Sequence, residues 1–193
     1  MQAYDPLDYE NLARSVVDAL LTAEEESLPP SETFEGAGVY AIYYRGEFEG
    51  YHSLVKADPL PPIYVGKADP TGARKGGGRM ATGRELYQRL TQHSKSISQA
   101  ENIQLADFTC RYLVVVPVWI TLAERFLVEH YKPVWNVAID GFGNHDPGAG
   151  RRAMKRPRWD ILHPGRPWAA SLTADEPFEQ VLQRLRQFLD RKP

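Results

Sequence analysis

Gly38-Val39-Tyr40-Ala41-Ile42-Tyr43-Tyr44 and Ile63-Tyr64-Val65-Gly66-Lys67 are two runs rich in β-branched and aromatic residues, and both read as strands. Each carries a tyrosine that packing alone does not demand. The connection from Arg45 to Pro62 is too long for a tight hairpin and reads as a decorated loop. Downstream, Leu86, Leu90 and Ile97 give the apolar face of a helix over about 84–98. Phe108 to Val116 is the clearest strand, closed by Pro117. Thr121 can cap a further helix whose apolar positions are Leu122, Phe126, Leu127 and Tyr131, and Pro133 ends it. Outside this block, Leu12, Val16, Ala19 and Leu20 predict an amphipathic helix over about 7–22, broken by Pro29-Pro30. Val181, Leu185, Phe188 and Leu189 predict a last helix after Pro177. This order implies a mixed α/β (α+β) domain on a small sheet, with extra helices at both termini.

At 193 residues the chain is long enough for one domain with a real core. No apolar run approaches the roughly 20 residues a bilayer requires, and the first 30 residues lack the pattern of a secretory signal. Cys110 is the only cysteine, which excludes an intrachain disulfide and any multi-cysteine zinc site. A reducing, cytoplasmic setting is the simplest expectation, with no membrane partner. The net charge of −2 hides an asymmetry: residues 1–35 hold one basic and nine acidic residues, whereas residues 36–166 hold eighteen basic and twelve acidic. A basic middle beside an acidic arm suits a polyanion partner, although solvated charges can cluster by chance.

Several residues could carry chemistry. Tyr40 and Tyr64 stand in strands where a phenol is commonly a core residue with its hydroxyl at the edge. An ordinary phenol is hardly ionised at neutral pH, so a role as base requires cations around it, and Lys67, Arg89, His93 and a metal at Glu124 are the candidates. Arg89 and His93 are four apart and share one helix face, where arginine can grip a phosphate and histidine can relay a proton. The alternative is a solvated face with an incidental histidine. Glu124 lies among apolar neighbours; it can hold magnesium through one hard oxygen donor, or pair with Arg125 or Arg111.

The segment around Gly72-Ala73-Arg74-Lys75-Gly76-Gly77-Gly78-Arg79 does not match a phosphate-binding loop, so no nucleotide cofactor is expected. A basic arm tracking a nucleic-acid backbone is the functional reading, and a disordered surface loop is the other. Arg151, Arg152, Lys155, Arg156 and Arg158 make the most basic segment, and the interleaved Trp159 suggests a DNA-facing surface. His52, His145 and His163 are weak signals, and His145-Asp146-Pro147-Gly148 reads as a turn.

Taken in order, Gly38-Val39-Tyr40, Tyr64-Val65-Gly66-Lys67, Arg89-x-x-x-His93, Glu124, Pro133 and Asn136 resemble the catalytic core of the GIY-YIG nucleases over about 100 residues. Valine replaces isoleucine in both signatures, which preserves the strands. The long first loop, the basic insertion before Arg89 and the segment Gly141 to Gly148 are similar to short type II restriction endonucleases of that superfamily, the branch that cuts CCGCGG. The resemblance implies a three-stranded antiparallel sheet flanked by helices. It also implies hydrolysis of double-stranded DNA with one magnesium per site, for which manganese can substitute. Tyr40 is then the general base, Arg89 stabilises the pentacovalent phosphorus, and Glu124 holds the metal. Tyr64 and His93 orient or relay protons, Asn136 supports the site, and Lys67 touches phosphate.

Cutting both strands of a palindrome is met most simply by a homodimer. Arg74, Lys75, Arg79, Arg151, Arg152 and Arg156 are the remaining DNA-binding candidates, their arginines able to read guanine. The chain thus divides into an acidic helical arm (1–35), a catalytic core (36–140) and a basic DNA-facing segment with the last helix (141–193), within one globular domain. A nicking nuclease of the repair or mobile-element type, and a non-catalytic DNA-binding module, are the rival readings.

Overall fold

A computed structural model of the protein describes residues 7–71, 83–145 and 154–191. Its strands are β1 (Glu26–Ser27), β2 (Gly38–Tyr44), β3 (Tyr64–Ala68) and β4 (Phe108–Val114), in one antiparallel sheet of order β1-β4-β2-β3. The three long strands are those expected; the two-residue β1 adds a fourth beside β4, pairing Glu26 with Cys110. The acidic stretch before the sheet is thereby tied to it. Glu25 pairs with Arg45 and Arg111, and Glu26 accepts a hydrogen bond from Tyr112 at 2.6 Å.

β2 is central and buried at all seven positions, because helices cover both its faces. Tyr40, Ile42 and Tyr44 face one core with α3 (Glu85–Ser98), α5 (Val134–Val137), α6 (Arg158–Leu162) and α8 (Phe178–Asp190). Val39, Ala41 and Tyr43 face a second core with α1 (Tyr9–Thr22) and α4 (Ile120–Tyr131). The alternation of side chains along the strand thus divides its residues between two cores rather than between core and water. Gly38 is required by packing: a Cβ there would lie 2.0 Å from the Leu113 carbonyl oxygen of β4.

Local details depart from the sequence reading. The 45–62 connection holds a 3-10 turn, Glu49–Tyr51, and the short α2 (His52–Val55). Thr121 does not cap α4; a 3-10 turn at Pro117–Trp119 leads into that helix, and the Thr121 hydroxyl accepts from Lys67 instead. Lys132, in the left-handed region at φ 44°, ends α4 ahead of Pro133, which cannot continue a helix. Trp159 is not on a DNA-facing surface: it is 0% exposed, packed against Trp135 and Phe142. Among the described residues no helix is long and apolar enough to cross a membrane.

Candidate active site

The site forms around β3, the edge strand. Tyr40 from β2 and Tyr64 from β3 present their rings on the same face of the sheet, with centroids 6.2 Å apart, and His93 from α3 stands 5.4 and 5.3 Å from them. Tyr40 Oη lies 2.6 Å from His93 Nε2. Gly66 makes that approach possible: a Cβ there would fall 2.4 Å from Tyr40 Oη, so the phenol rests directly on the β3 backbone.

Burial decides the protonation of this pair. It raises the Tyr40 phenol well above its ordinary range, and the neighbouring Arg89 offsets that only in part. Burial, with Arg89 beside it, pulls His93 well below its own. At neutral pH a protonated Tyr40 therefore faces a neutral His93, and with the ring proton on Nδ1 the hydroxyl donates to Nε2. Of the cations expected around the phenol, Arg89 lowers it, His93 is neutral, and Lys67 pairs with Glu124. Burial likewise raises Tyr64, with Arg89 lowering it in part.

Arg89, one helical turn before His93, donates to Gln92 Oε1 and to the Gly143 carbonyl, both at 3.2 Å, and contacts His145 Nε2. Glu124 on α4 is 29% exposed; burial raises its carboxyl, Lys67 opposes this, and its charge in turn raises both phenols. Its ion-pair partner is Lys67, 3.6 Å away, rather than Arg125, which pairs with Glu129, or Arg111, which pairs with Glu25. Asn136 works from α5 on the open edge of β3. Its side-chain amide accepts from the Val65 N–H at 2.9 Å and donates to the Val65 carbonyl at 2.8 Å, replacing the missing neighbouring strand.

All six candidate catalytic residues are thus gathered about β3. The family described as the Eco29kI GIY-YIG domain, a restriction endonuclease family, matches residues 32–189. The chain belongs to that family. No curated protein matches it. As a GIY-YIG nuclease it has DNA as its substrate.

Within this GIY-YIG nuclease the donor set fits a magnesium ion. Among the described residues no group of three or more His, Cys, Asp or Glu forms a cage. Glu124 instead offers one half-buried carboxylate whose ion-pair partner among the described residues, Lys67, stands 3.6 Å away. Magnesium, which keeps most of its waters and shares substrate phosphate oxygens, needs no more than that.

The DNA-binding candidates divide. Arg74, Lys75, Arg79, Arg151 and Arg152 lie outside the described residues. Lys67 is at the site, and Arg156, partly exposed, donates to the Ala169 and Ala170 carbonyls at 3.1 and 2.6 Å. Its neighbours Lys155 and Arg158 are paired with Asp175 and with Asp140 and Glu176. Sequence reasoning gave Phe142 and Gly143 no role at the site and rated His145 a weak signal; all three reach the site from an irregular stretch with no periodic signal.

Proposed function

We propose that this nuclease is a magnesium-dependent type II restriction endonuclease that works as a homodimer on a GC-rich palindrome such as CCGCGG. The observation that carries the catalytic part is the 2.6 Å contact between Tyr40 and His93, set beside Arg89 and within the field of Glu124. The family match supports the restriction role; the palindrome rests on the resemblance of the sequence to the CCGCGG-cutting branch.

Tyr40 Oη takes a proton from the attacking water as its own proton passes to His93 Nε2, so no free phenolate has to accumulate in a buried site. Arg89 holds non-bridging oxygens as charge develops on phosphorus, where a preorganised cation is worth most. A magnesium ion bound by Glu124 would supply Lewis-acid charge beside the phosphate and the leaving 3′ oxygen, and manganese can substitute. Lys67 stands next to that carboxylate and can meet the phosphate, Tyr64 orients the reacting groups, and Asn136 keeps the edge of β3 in place. One site cuts one strand, so two protomers related by the dyad of a palindrome account for both cuts.

Incubating the purified chain with long duplex DNA and magnesium tests this. Discrete double-strand fragments are expected; nicks alone would indicate a single-strand nuclease, and a gel shift without cleavage would indicate a binding module.

A further inference from the structure

Arg166 is 1% exposed, and its hydrogen bonds go to Asp160 and to backbone carbonyls. Its guanidinium lies between Trp159 and Trp168, 4.5 and 4.7 Å from their ring centres. It forks onto Asp160, Nε to Oδ1 at 2.6 Å and Nη2 to Oδ2 at 2.5 Å. The other donors go to backbone: Nη1 to the carbonyls of Phe142 and Asn144, both at 3.1 Å, and Nη2 to that of Gly141 at 3.0 Å. A buried cation that binds three carbonyls of one turn, those of Gly141, Phe142 and Asn144, fixes the shape of that turn.

The turn is the one that touches the catalytic side chains. Phe142 stacks on His93 at 4.5 Å and meets Tyr64 edge-on at 4.9 Å. The Gly143 carbonyl accepts from Arg89 Nη2, and His145 Nε2 faces Arg89 Nη1. Gln92 takes the other Nη1 hydrogen. These bonds use Nη1 and Nη2, and the guanidinium also lies close enough to the Tyr40 and Tyr64 phenols to lower both; its Nε and second Nη2 hydrogens share one edge. That edge has the spacing for two phosphate oxygens.

We propose that His145 and the Gly143 carbonyl are positioning groups that turn the Nε/Nη2 edge of Arg89 towards the scissile phosphate, on a turn anchored by Arg166. The inference rests on the role given to Arg89 above. His145 holds one end of the guanidinium and leaves the opposite edge for the substrate. Gly143 has to be small: a Cβ there would lie 2.9 Å from Tyr64 Oη and 3.3 Å from Arg89 Nη2.

Arg166 itself is a poor test, since removing one partner of a buried ion pair threatens folding. The test uses the full chain as His145→Ala, His145→Gln, Gly143→Ala and, for reference, Arg89→Ala. Melting temperature, DNA affinity without magnesium, and single-turnover cleavage at saturating protein are measured for each. His145→Ala should lose about tenfold in rate, the worth of one orienting hydrogen bond, with melting and affinity unchanged. His145→Gln, whose amide oxygen can accept from Arg89, should recover most of that loss. Gly143→Ala should be slowed with affinity unchanged. Wild-type rates in both His145→Ala and Gly143→Ala, with Arg89→Ala inactive, would overturn the positioning role alone. A wild-type rate in Arg89→Ala would overturn the catalytic reading of Arg89 and the positioning role with it.

Discussion

Replacing Gly66 by alanine adds one methyl group at the point where the catalytic phenol crosses β3. The backbone there is ordinary strand, so alanine brings no strain of its own. The new Cβ, however, would stand 2.4 Å from Tyr40 Oη and 2.6 Å from its Cζ. The phenol must therefore withdraw by about 1 Å to reach normal contact, in an interior with no spare room. Tyr40 is 0% exposed, so the withdrawal presses on its neighbours and should cost about 1–3 kcal/mol of stability. It also stretches the 2.6 Å contact with His93 beyond hydrogen-bond length. Misplacing a reacting group by about 1 Å costs on the order of 100-fold in rate, an effect of the same size as the cost in folding. Thermal melting and single-turnover cleavage of Gly66→Ala, measured below its melting range, read both effects. A stable variant that cleaves at the wild-type rate would refute the placement of Tyr40 at the chemical step.

Two further outcomes follow from the supports of the site. Asn136→Ala leaves the Val65 N–H and carbonyl without their partner and should lower stability by about 1–3 kcal/mol in urea unfolding, with cleavage reduced as the β3 edge loosens; unchanged stability would remove Asn136 from that role. Burial holds His163 down at about 3, against an unfolded value near 6.5. The unfolded chain thus takes a proton that the folded chain refuses. The stability linked to His163 is fully present above about pH 6.5 and declines as pH falls towards 3, by about 1.4 kcal/mol per pH unit. His93, also lowered by burial, adds to the same slope. Melting between pH 7 and 5 should show this decline, shallower in His163→Gln; identical slopes in the two proteins would contradict it.

The strands and the spaced motif were legible because their signals are local. β-branched runs marked β2, β3 and β4, and helical spacing put Arg89 and His93 on one face. Asn136 was placed by its distance from Glu124, but its task, sealing the edge of β3, depends on which strand lies outermost, which no spacing reveals. Trp159 was misread because a tryptophan among cations suits either a nucleic-acid surface or a core, and a five-residue helix is too short to show which face is apolar. The segment 141–145 was singled out, but its contacts with Arg89 escaped notice because they span more than fifty residues of sequence and depend on Arg166, a residue with no pattern around it. The protonation of Tyr40 was equally hidden, since burial rather than neighbouring charge sets it.

Metal-assisted hydrolysis at this site is tested most directly by Glu124→Gln, which keeps the side-chain shape and removes the one carboxylate charge placed beside the tyrosines and Arg89. DNA binding and single-turnover cleavage with magnesium are to be measured on the same preparation. Retained binding with cleavage abolished is the predicted result. Near-normal magnesium-dependent cleavage by Glu124→Gln would contradict it.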